Sequence, residues 1–446
     1  MSDRLQGIDG PVERTDLRWA ALRTSVGLSL LFLVVYSGTS WITSLRSDVG
    51  TWMYEWERWI PFVPIMIVPY MSLDLFFVAA PFLCTDREEL RTLRRRIAMA
   101  ILVAGACFLL MPLQLGRPRP EVAGWLGVVW DRFLSFDRPV NLCPSLHIAL
   151  RTLLVVHYAR HTRGLLRVLV HVWFALIGVS TLLTSQHHVI DVAGGFVLAA
   201  ACFWAISPGT WRAPTEGNPR VGLLYGIGAT ALGLLALLLR GHGGWALWWP
   251  AAVLGLVAAA YLLGPLGPGA AIYRKHDGRL PLATRLLLAP VLLGQWASWA
   301  WYAWLRRGPR SEPWDVVVPG LWIGRLLTVD EAHAARRAGA TAVLDLTSEF
   351  SEPSPLRELP YLNVPLLDLT APDPCQMAAC LAFIDAHAPQ GAVLVHCKAG
   401  YSRSAAVVAT WLLRRGRAAD ADSALALVRE ARPRLVVRPE AMAAIR

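Results

Sequence analysis

The residues VHCKAGYSRS, Val395 to Ser404, follow a short apolar run and precede a helical pattern. Five residues separate Cys397 from Arg403, enough for a loop whose backbone N–H groups surround an anion at a helix N-terminus. Arg403 can clamp phosphate oxygens with a bidentate guanidinium. The same positive field favours the thiolate form of Cys397, which is the nucleophilic form. This stretch therefore predicts a phosphate site built around a cysteine, at the turn from a strand to a helix.

The remaining positions of the loop have further roles. Gly400 permits a backbone geometry that a side chain would disfavour. Ser404 can donate a hydrogen bond to the thiolate when it departs. The backbone groups expected to bind phosphate belong to the residues inside the loop: Lys398, Ala399, Gly400, Tyr401 and Ser402.

The sequence around this loop alternates between strand-like and helix-like segments from Ser311 onward. The predicted strands are 316–318, 322–323, 342–346, 362–365 and 392–396. The predicted helices are 329–338, 375–387 and 404–414. This order predicts a soluble α/β domain with a central sheet over residues 311–446.

The loop and its surroundings, over about residues 313–446, resemble the cysteine-dependent dual-specificity phosphatases. The resemblance implies that Cys397 and Arg403 are catalytic and that an aspartate upstream is the general acid. In the segment LLDLT that aspartate is Asp368, with Asp373 as its competitor on the same loop. Lys398 adds a cation, as in the loop of the mitochondrial phosphatidylglycerophosphate phosphatase and related lipid phosphatases. It indicates acidic lipid or inositol-type head groups; the alternative is that Lys398 faces solvent.

The composition indicates a membrane protein. Of 446 residues, 55% are hydrophobic and 17% are charged, against roughly 25% charged in soluble proteins. Apolar blocks of spanning length lie near 19–37, 59–83, 97–115, 143–159, 165–183, 189–207, 221–239 and 245–263. A polar tail, 1–18, precedes them. The net charge of +11 is assigned to orienting loops, not to nucleic acid. The scattered cysteines have no metal-ligand spacing, so neither a metal nor a cofactor is predicted.

Basic loops after the second, fourth, sixth and eighth blocks are expected to be cytoplasmic. A ninth run, Leu286 to Leu305, contains four tryptophans, which are typical of membrane interfaces. As an interfacial helix, this run would leave the α/β domain in the cytoplasm, where a thiolate is protected from oxidation. As a ninth crossing, it would put that domain outside. The expected location is a bacterial inner membrane with the α/β domain inside.

Two histidine motifs lie at the predicted outer ends of apolar blocks: PSLH, ending at His147, and HHVID, from His187 to Asp191. His187 and Asp191 are four residues apart, so a helix would put them on one face. An imidazole can attack phosphorus, a carboxylate can fix its tautomer, and a second histidine can protonate a leaving oxygen. The alternative is a structural polar network between helices.

PSLH and HHVID resemble two motifs of the type-2 phosphatidic acid phosphatase (PAP2) superfamily, over about the first 210 residues. The stretch DRPVNLCPSLH is most similar to its sphingomyelin and inositolphosphorylceramide synthase branch. The resemblance implies that His187 is the nucleophile, Asp191 its orienting carboxylate and His147 the general acid. His188, next to them, could instead face solvent.

This sequence departs from the superfamily at two cations. Leu110 and Pro112 occupy the positions expected for a lysine, and Thr181 stands where an arginine is usual. A monoanionic phosphodiester needs less positive charge than a dianionic monoester, so the loss favours diester head-group transfer or cleavage. The arginines that could compensate as phosphate ligands are Arg117, Arg119 and Arg138.

Together these features predict a multi-domain chain. An all-α polytopic membrane bundle, a six-helix PAP2-like core over 19–210 plus two or three extra helices over 211–305, precedes the α/β phosphatase domain. The predicted function is bifunctional phosphatase and phosphotransferase chemistry on phospholipid head groups. The predicted partners are the membrane and a phospholipid, a lipid phosphate or a phosphoprotein. The alternatives are a membrane-anchored protein phosphatase in signalling, and a lipid sensor whose membrane part has lost activity.

Overall fold

The computed structural model describes residues 11–136, 138–207, 217–240, 243–305, 312–433 and 435–445. These residues form two compact units. The first holds the described residues up to Ser207 together with Gly243, and the second holds residues 217–240 and those from Gly244 onward. The second unit therefore joins the extra helices of 211–305 to the α/β domain, which the sequence analysis separates into two domains.

The first unit is helical. Its described α-helices are α1 (Pro11–Ser44), α2 (Ile67–Ala79), α3 (Arg87–Leu110), α4 (Gly124–Phe136), α5 (Leu146–Arg160), α6 (Gly164–Leu183) and α7 (Val189–Ala205). Two short strands, β1 (Gly50–Thr51) and β2 (Leu113–Gln114), pair in parallel. Helix α4 is not among the predicted apolar blocks, because its 13 residues form no long apolar run. Its Trp130 is nevertheless buried against Ile67 and Tyr70.

Helix α3 packs against α1, α5 and α7. Ile97, Ile101 and Ala104 recur at helical spacing and are fully buried. Helices α1 and α3 approach closely at Gly105, where an added Cβ would lie 2.4 Å from a methyl carbon of Val35. A glycine is therefore required at this contact.

Several helices have the length and composition of membrane spans. The described residues contain five such segments: Thr15–Ser44, Pro64–Leu83, Gly164–Leu183, Pro219–Leu238 and Gly244–Leu262. Their outer faces expose large apolar side chains, among them Leu165 at 74% and Leu224 at 70%. Apolar surface on this scale is unfavourable in water, which is consistent with a membrane protein.

The second unit begins with four described α-helices: α8 (Pro219–Leu238), α9 (Trp248–Leu262), α10 (Leu282–Leu287) and α11 (Ala289–Leu305). Helices α8 and α9 form an antiparallel hairpin in which the rings of Tyr225 and Tyr261 stack with centroids 5.9 Å apart. The ninth apolar run of the sequence is thus largely helical, as α10 and α11.

The α/β domain follows, built on a five-stranded sheet with the order β3-β4-β7-β5-β6. Its strands are β3 (Trp314–Val318), β4 (Leu321–Arg325), β5 (Ala340–Thr347), β6 (Tyr361–Leu366) and β7 (Ala392–Cys397). Its helices are α12 (Val329–Ala338), α13 (Ser354–Arg357), α14 (Pro374–His387), α15 (Arg403–Arg414), α16 (Ala421–Ala431) and α17 (Pro439–Ala443). The pairs β4–β7, β7–β5 and β5–β6 are parallel, and β3–β4 is antiparallel.

The predicted order, apolar helices followed by an α/β sheet domain, is confirmed. Each predicted strand of 311–446 lies within an observed strand, because alternating short apolar segments are strong signals in a compact domain. Strand β7 is the central strand, and all its residues are buried. A strand covered on both faces is expected to be continuously apolar, as AVLV is. Its carboxyl end carries Cys397.

Candidate active sites

Cys397 is the last residue of β7 and is 3% exposed. The chain then makes a tight loop and enters α15 at Arg403, so the N-terminus of a 12-residue helix points back at the sulfur. Gly400 has φ +72°, and a Cβ there would lie 2.6 Å from the carbonyl oxygen of Gly324 in β4. The loop conformation therefore requires glycine at this position.

The hydroxyl of Ser404 lies 3.4 Å from the sulfur of Cys397, and Ser404 is fully buried. This distance permits an S–H···O or O–H···S hydrogen bond. The Ser404 hydroxyl can therefore donate to the sulfur when it is a thiolate, as the sequence analysis predicts.

Arg403 is held by several acceptors. It is 2% exposed. Its guanidinium donates to both carboxylate oxygens of Glu349, at 2.8 and 3.2 Å, and to the carbonyl of Leu366 at 2.8 Å. It also donates to Asp368 Oδ1 at 3.2 Å. Burial opposes the charge, but the carboxylates of Glu349 and Asp368 raise the pKa of Arg403 well above its usual value.

Sequence reasoning misses Glu349. This residue follows β5, the strand next to β7, so only the sheet order brings it to Arg403. A buried carboxylate paired in bidentate fashion with arginine fixes the direction of the guanidinium. The local signal is an acidic residue two positions after the end of an apolar strand.

Asp368 is the predicted acid, and its side chain is 28% exposed. Its Oδ2 atom lies 3.4 Å from Lys398 Nζ, and its Oδ1 atom accepts from Arg403. Burial alone would raise the pKa of Asp368, but the charges of Arg403 and Lys398 lower it. Asp373, the competitor, is bound elsewhere, because its carboxylate caps α14 by accepting from the Gln376 N–H at 2.8 Å.

Lys398 is 7% exposed, so the alternative that it faces solvent is wrong. Its ammonium donates to Gln295 Oε1 in α11 at 2.6 Å and points toward Asp368. Burial of an ammonium requires such partners. A lysine in the loop therefore places a second cation beside Arg403.

The outer side of the loop contacts the C-terminal segment. Arg432 donates to the carbonyl of Ala399 at 3.4 Å, and its guanidinium lies 5.6 Å from the ring centroid of Tyr401. The Ser402 hydroxyl accepts from the N–H of Arg438 at 3.3 Å. These contacts hold the loop in place; phosphate binding by its N–H groups stays a prediction.

A buried ionic network lies behind the cysteine. Lys275 donates to Asp345, and both side chains are at most 1% exposed. His396, the residue before Cys397, has Nε2 3.0 Å from Glu352, an ion pair that departs from hydrogen-bond geometry. Burial alone would lower the pKa of His396, but the carboxylates of Glu352 and Asp345 raise it to about 9.

The described residues include two groups of potential metal ligands. One comprises Asp345, Glu352 and His396, and the other Glu89, His157 and His161. In the first group Lys275 already supplies a cation to Asp345. In the second, His161 Nε2 lies at hydrogen-bond distance, 2.8 Å, from Glu89 Oε1.

The two histidine motifs of the first unit meet. The backbone N–H of Ser145 donates to the carbonyl of Asp191 at 2.9 Å. Helix α7 begins at Val189, with His188 as its N-cap. The expectation that one helix carries both His187 and Asp191 is therefore wrong, because the histidine precedes the helix. The turn still leaves His187 Nδ1 3.7 Å from Asp191 Oδ2.

His147 lies in the first turn of α5 and stacks on Tyr70, with ring centroids 4.1 Å apart. The buried atoms His147 Nε2 and His187 Nδ1 have no hydrogen-bond partner among the described residues. His187 Nδ1 faces the carboxylate of Asp191, so the Nε2 atom of His147 is the one of these two buried nitrogens that is available to a ligand.

The alternative that His188 faces solvent is wrong. His188 is 3% exposed. Its Nδ1 atom lies 2.9 Å from Glu57 Oε2, and its Nε2 atom accepts from the N–H of Gly116 at 3.0 Å. These bonds give His188 a structural role. Sequence reasoning misses Glu57, which precedes α2 and is distant in the chain.

The three arginines have different surroundings. Arg119 donates to Gln186 Oε1 at 2.6 Å, directly before His187 in the chain. Arg117 is half-buried two positions earlier. Arg138 is exposed and donates to the Ser44 hydroxyl. Arg119 is thus the arginine that the described contacts link to the histidine segment.

Comparisons with known proteins identify a family for each of the two domains. Residues 322–446 match the family described as dual specificity phosphatase, catalytic domain, and residues 132–205 match the PAP2 superfamily. Dual specificity phosphatase 28 of Mus musculus is 34% identical over 124 residues, 27% of this chain and 74% of that protein. The chain belongs to the dual-specificity phosphatase family and carries a PAP2 superfamily domain. Both resemblances are confirmed; the synthase branch stays a prediction.

Other similarities are more partial. Dual specificity protein phosphatase 12 of Homo sapiens is 42% identical over 103 residues, 22% of this chain. The chain spans 30% of the length of that protein. The protein in the crystal structure of human DUSP28 is 28% identical in sequence to this chain. The match covers 31% of this chain and 93% of that one, with a TM-score of 0.26.

Proposed function

We propose that this chain is a membrane enzyme that hydrolyses phosphoric monoesters at Cys397. The observation that carries the proposal is the position of the sulfur at the end of β7, beneath the N-terminus of α15 and beside Arg403 and Asp368. These two side chains are 3.2 Å apart. A nucleophile, an anion clamp and a proton donor thus converge on one loop.

The chemistry proceeds in two steps. In the first, the Cys397 thiolate attacks phosphorus, a sulfur–phosphorus bond forms, and the bond to the leaving oxygen breaks as Asp368 gives that oxygen its proton. In the second, water attacks phosphorus and passes a proton to the Asp368 carboxylate. The sulfur–phosphorus bond then breaks, and Ser404 stabilises the released thiolate. The products are an alcohol and inorganic phosphate.

Charge stabilisation during both steps comes from Arg403 and Lys398. The guanidinium, oriented by Glu349, is complementary to the equatorial oxygens of the transferring phosphoryl group. A bound dianion would also offset the two cations that lower the pKa of Asp368. Substrate binding therefore favours the protonated acid that the first step requires.

The pH dependence of the reaction tests this assignment. Asp368 donates only when protonated, so kcat/KM falls as the pH rises through its pKa. Lys398→Met removes one of the charges that lower this pKa. The fall of kcat/KM on the basic side of the pH profile, here called the basic limb, is therefore expected to move to higher pH. Asp368→Asn should abolish the limb and slow turnover by roughly 10²-fold or more. Phosphate release from phenyl phosphate by the full chain measures both effects. An unmoved limb in Lys398→Met would contradict the proposal.

The preferred substrate of this site is a lipid phosphate or a related acidic head group. Lys398 and Arg403 both contact the carboxylate of Asp368, and two cations this close suit a head group with several negative charges. The same unit contains apolar helices of spanning length. The alternative substrate is a phosphoprotein, since relatives of the α/β domain are named protein phosphatases.

The histidine site is proposed to act on phospholipid head groups. The observations in its favour are the pairing of His187 with Asp191 and the buried Nε2 atom of His147, which has no hydrogen-bond partner among the described residues, in a domain that matches the PAP2 superfamily. In this mechanism Asp191 orients His187, whose attack forms a nitrogen–phosphorus bond while the bond to the leaving oxygen breaks and His147 gives that oxygen its proton. An alcohol or water then attacks phosphorus and passes its proton to His147 as the nitrogen–phosphorus bond breaks, which gives transfer or hydrolysis.

We place the α/β domain in the cytoplasm. The N-cap of α8, Asn218, and the C-terminal part of α9, at Tyr261, both bond to this domain. The flanking residues Arg220 and Arg274 belong to the loops expected to be cytoplasmic. Helix α11 also contacts the domain, through a hydrogen bond from Trp299 to the carbonyl of Leu326 at 3.3 Å. This contact favours an interfacial helix.

A reporter fused after Arg446 tests the placement. Green fluorescent protein fluoresces when it stays in the cytoplasm, whereas alkaline phosphatase is active only after export. A cytoplasmic α/β domain should therefore give green fluorescence without alkaline phosphatase activity. The matched control is a fusion after Arg46, which follows the first crossing and should give the reverse. Alkaline phosphatase activity after Arg446 would put the domain outside.

A further inference from the structure

The loop Leu367–Thr370, here called the acid loop, accepts hydrogen bonds from residues of the apolar helices α8 and α9. The hydroxyl of Tyr261 in α9 donates to the carbonyl of Asp368 at 2.8 Å. The amide of Asn218, the N-cap of α8, donates to the carbonyl of Leu369 at 2.9 Å. Leu369 has φ +59°, which is rare for a residue with a side chain. A strained backbone persists where its surroundings fix it, and these two bonds fix both carbonyls.

A second contact reaches Lys398, in the loop that follows Cys397. Gln295 in α11 accepts from Lys398 Nζ at 2.6 Å and donates to the hydroxyl of Tyr225 at 3.2 Å. The ring of Tyr225 stacks on that of Tyr261. Lys398 in turn points at the carboxylate of Asp368. The contacts therefore form a closed ring that begins and ends at Asp368, the proposed general acid.

The contacts in this ring end at chemically relevant groups. One hydrogen bond ends on the backbone of Asp368 itself, and another ends on the ammonium of Lys398. The donor of the first bond, Tyr261, and the acceptor of the second, Gln295, precede residue 322, where the match to the phosphatase family begins. Packing of these helices against the α/β domain would not by itself require hydrogen bonds at these two residues.

We infer that α8, α9 and α11 complete the phosphatase active site. Tyr261 and Asn218 are positioning residues that fix the backbone of the acid loop, and Gln295 is a positioning residue that fixes Lys398. None of the three contacts a reacting atom; each acts through Asp368 or Lys398. The inference rests on the proposed phosphatase activity of Cys397.

Leaving-group dependence tests the role of the acid loop. An alkyl leaving group needs a proton as its bond to phosphorus breaks, whereas p-nitrophenolate leaves with little help. Tyr261→Phe and Asn218→Ser, in the full chain in detergent, are expected to lower kcat on glycerol 3-phosphate by about 2- to 10-fold, the effect of one hydrogen bond. Serine at 218 can still cap α8. The rate on p-nitrophenyl phosphate should change by less.

The matched control is Trp249→Phe. Its indole, near the start of α9, donates to the carbonyl of Leu287 in α10 at 2.8 Å, away from the acid loop. This variant should leave both rates unchanged. Equal losses on both substrates in Tyr261→Phe and Asn218→Ser, or no loss on either, would overturn the role of these residues.

The role of Gln295 is tested by a double-mutant cycle. Gln295→Leu is expected to raise KM for p-nitrophenyl phosphate about 2- to 10-fold, because Lys398 loses its hydrogen-bond acceptor. In a Lys398→Met background the same change should have no further effect, since Gln295 acts through the ammonium. Additive effects of the two substitutions would overturn this part of the inference.

These outcomes are distinguishable from failure of the proposed function. If the unmodified chain releases no phosphate, or releases it equally well as Cys397→Ser, the phosphatase assignment fails. If release depends on Cys397 but the three positioning variants behave as the unmodified chain does, the assignment stands and the inference alone is wrong.

Discussion

Replacing Cys397 with serine is expected to abolish phosphomonoesterase activity. The hydroxyl that replaces the thiol stays protonated near neutral pH, so the loop holds an anion without a nucleophile to attack it. Removal of a catalytic nucleophile costs on the order of 10⁴-fold or more in turnover. The measurement is phosphate release from p-nitrophenyl phosphate by the full chain purified in detergent.

The change is nearly isosteric, so the fold should be retained. Cys375→Ser is the matched control, because Cys375 is an exposed free cysteine on α14. This control variant should keep full activity. Full activity of Cys397→Ser on the same substrate would end the assignment of this site.

The cysteine loop could be predicted because its parts are consecutive in the sequence. Cys397, Gly400, Arg403 and Ser404 sit on one strand–loop–helix unit, and local chemistry specifies each of them. The surrounding strands were predictable for a related reason: short apolar segments separated by polar turns are a strong signal in a compact α/β domain.

Residues that reach this site from elsewhere could not be predicted. Glu349 meets Arg403 because β5 lies beside β7, and strand order is a non-local property. Gln295 meets Lys398 because α11 packs on the domain. Sequence spacing carries no information on either contact. The sequence shows that Lys398 is unusual, but its burial follows only from the packing.

The histidine segment illustrates a different limit. A four-residue spacing suggests one helix face, yet the helix begins at Val189 and leaves His187 outside it. The carboxylate of Asp191 instead accepts from the N–H of His188 at 2.7 Å, a capping bond. Periodicity does not reveal where a helix starts when a histidine occupies the cap. The burial of His188 against Glu57 depends on a contact between residues far apart in the chain.

The second large effect is expected at the histidine site. His187→Ala removes the proposed nucleophile and should abolish head-group conversion in vesicles with a labelled phospholipid donor. His147→Ala removes the proposed acid and should slow conversion by roughly 10²- to 10⁴-fold. Asp191→Asn keeps an oxygen for the capping bond, so its effect reports the loss of charge beside His187. Cys397→Ser should leave this reaction unchanged.

His171→Gln is the matched control, because His171 is an exposed histidine on α6.

The chemical form of the donor decides the reaction class. A site without the superfamily's two usual cations should prefer a phosphodiester donor to phosphatidic acid, since a monoester dianion requires more positive charge. Conversion of either donor by a variant with alanine at His147, His187 and Asp191 would show that the histidines are structural. Faster release of phosphate from phosphatidic acid than from the diester would instead assign the site to monoester hydrolysis, with Arg119 supplying the missing charge.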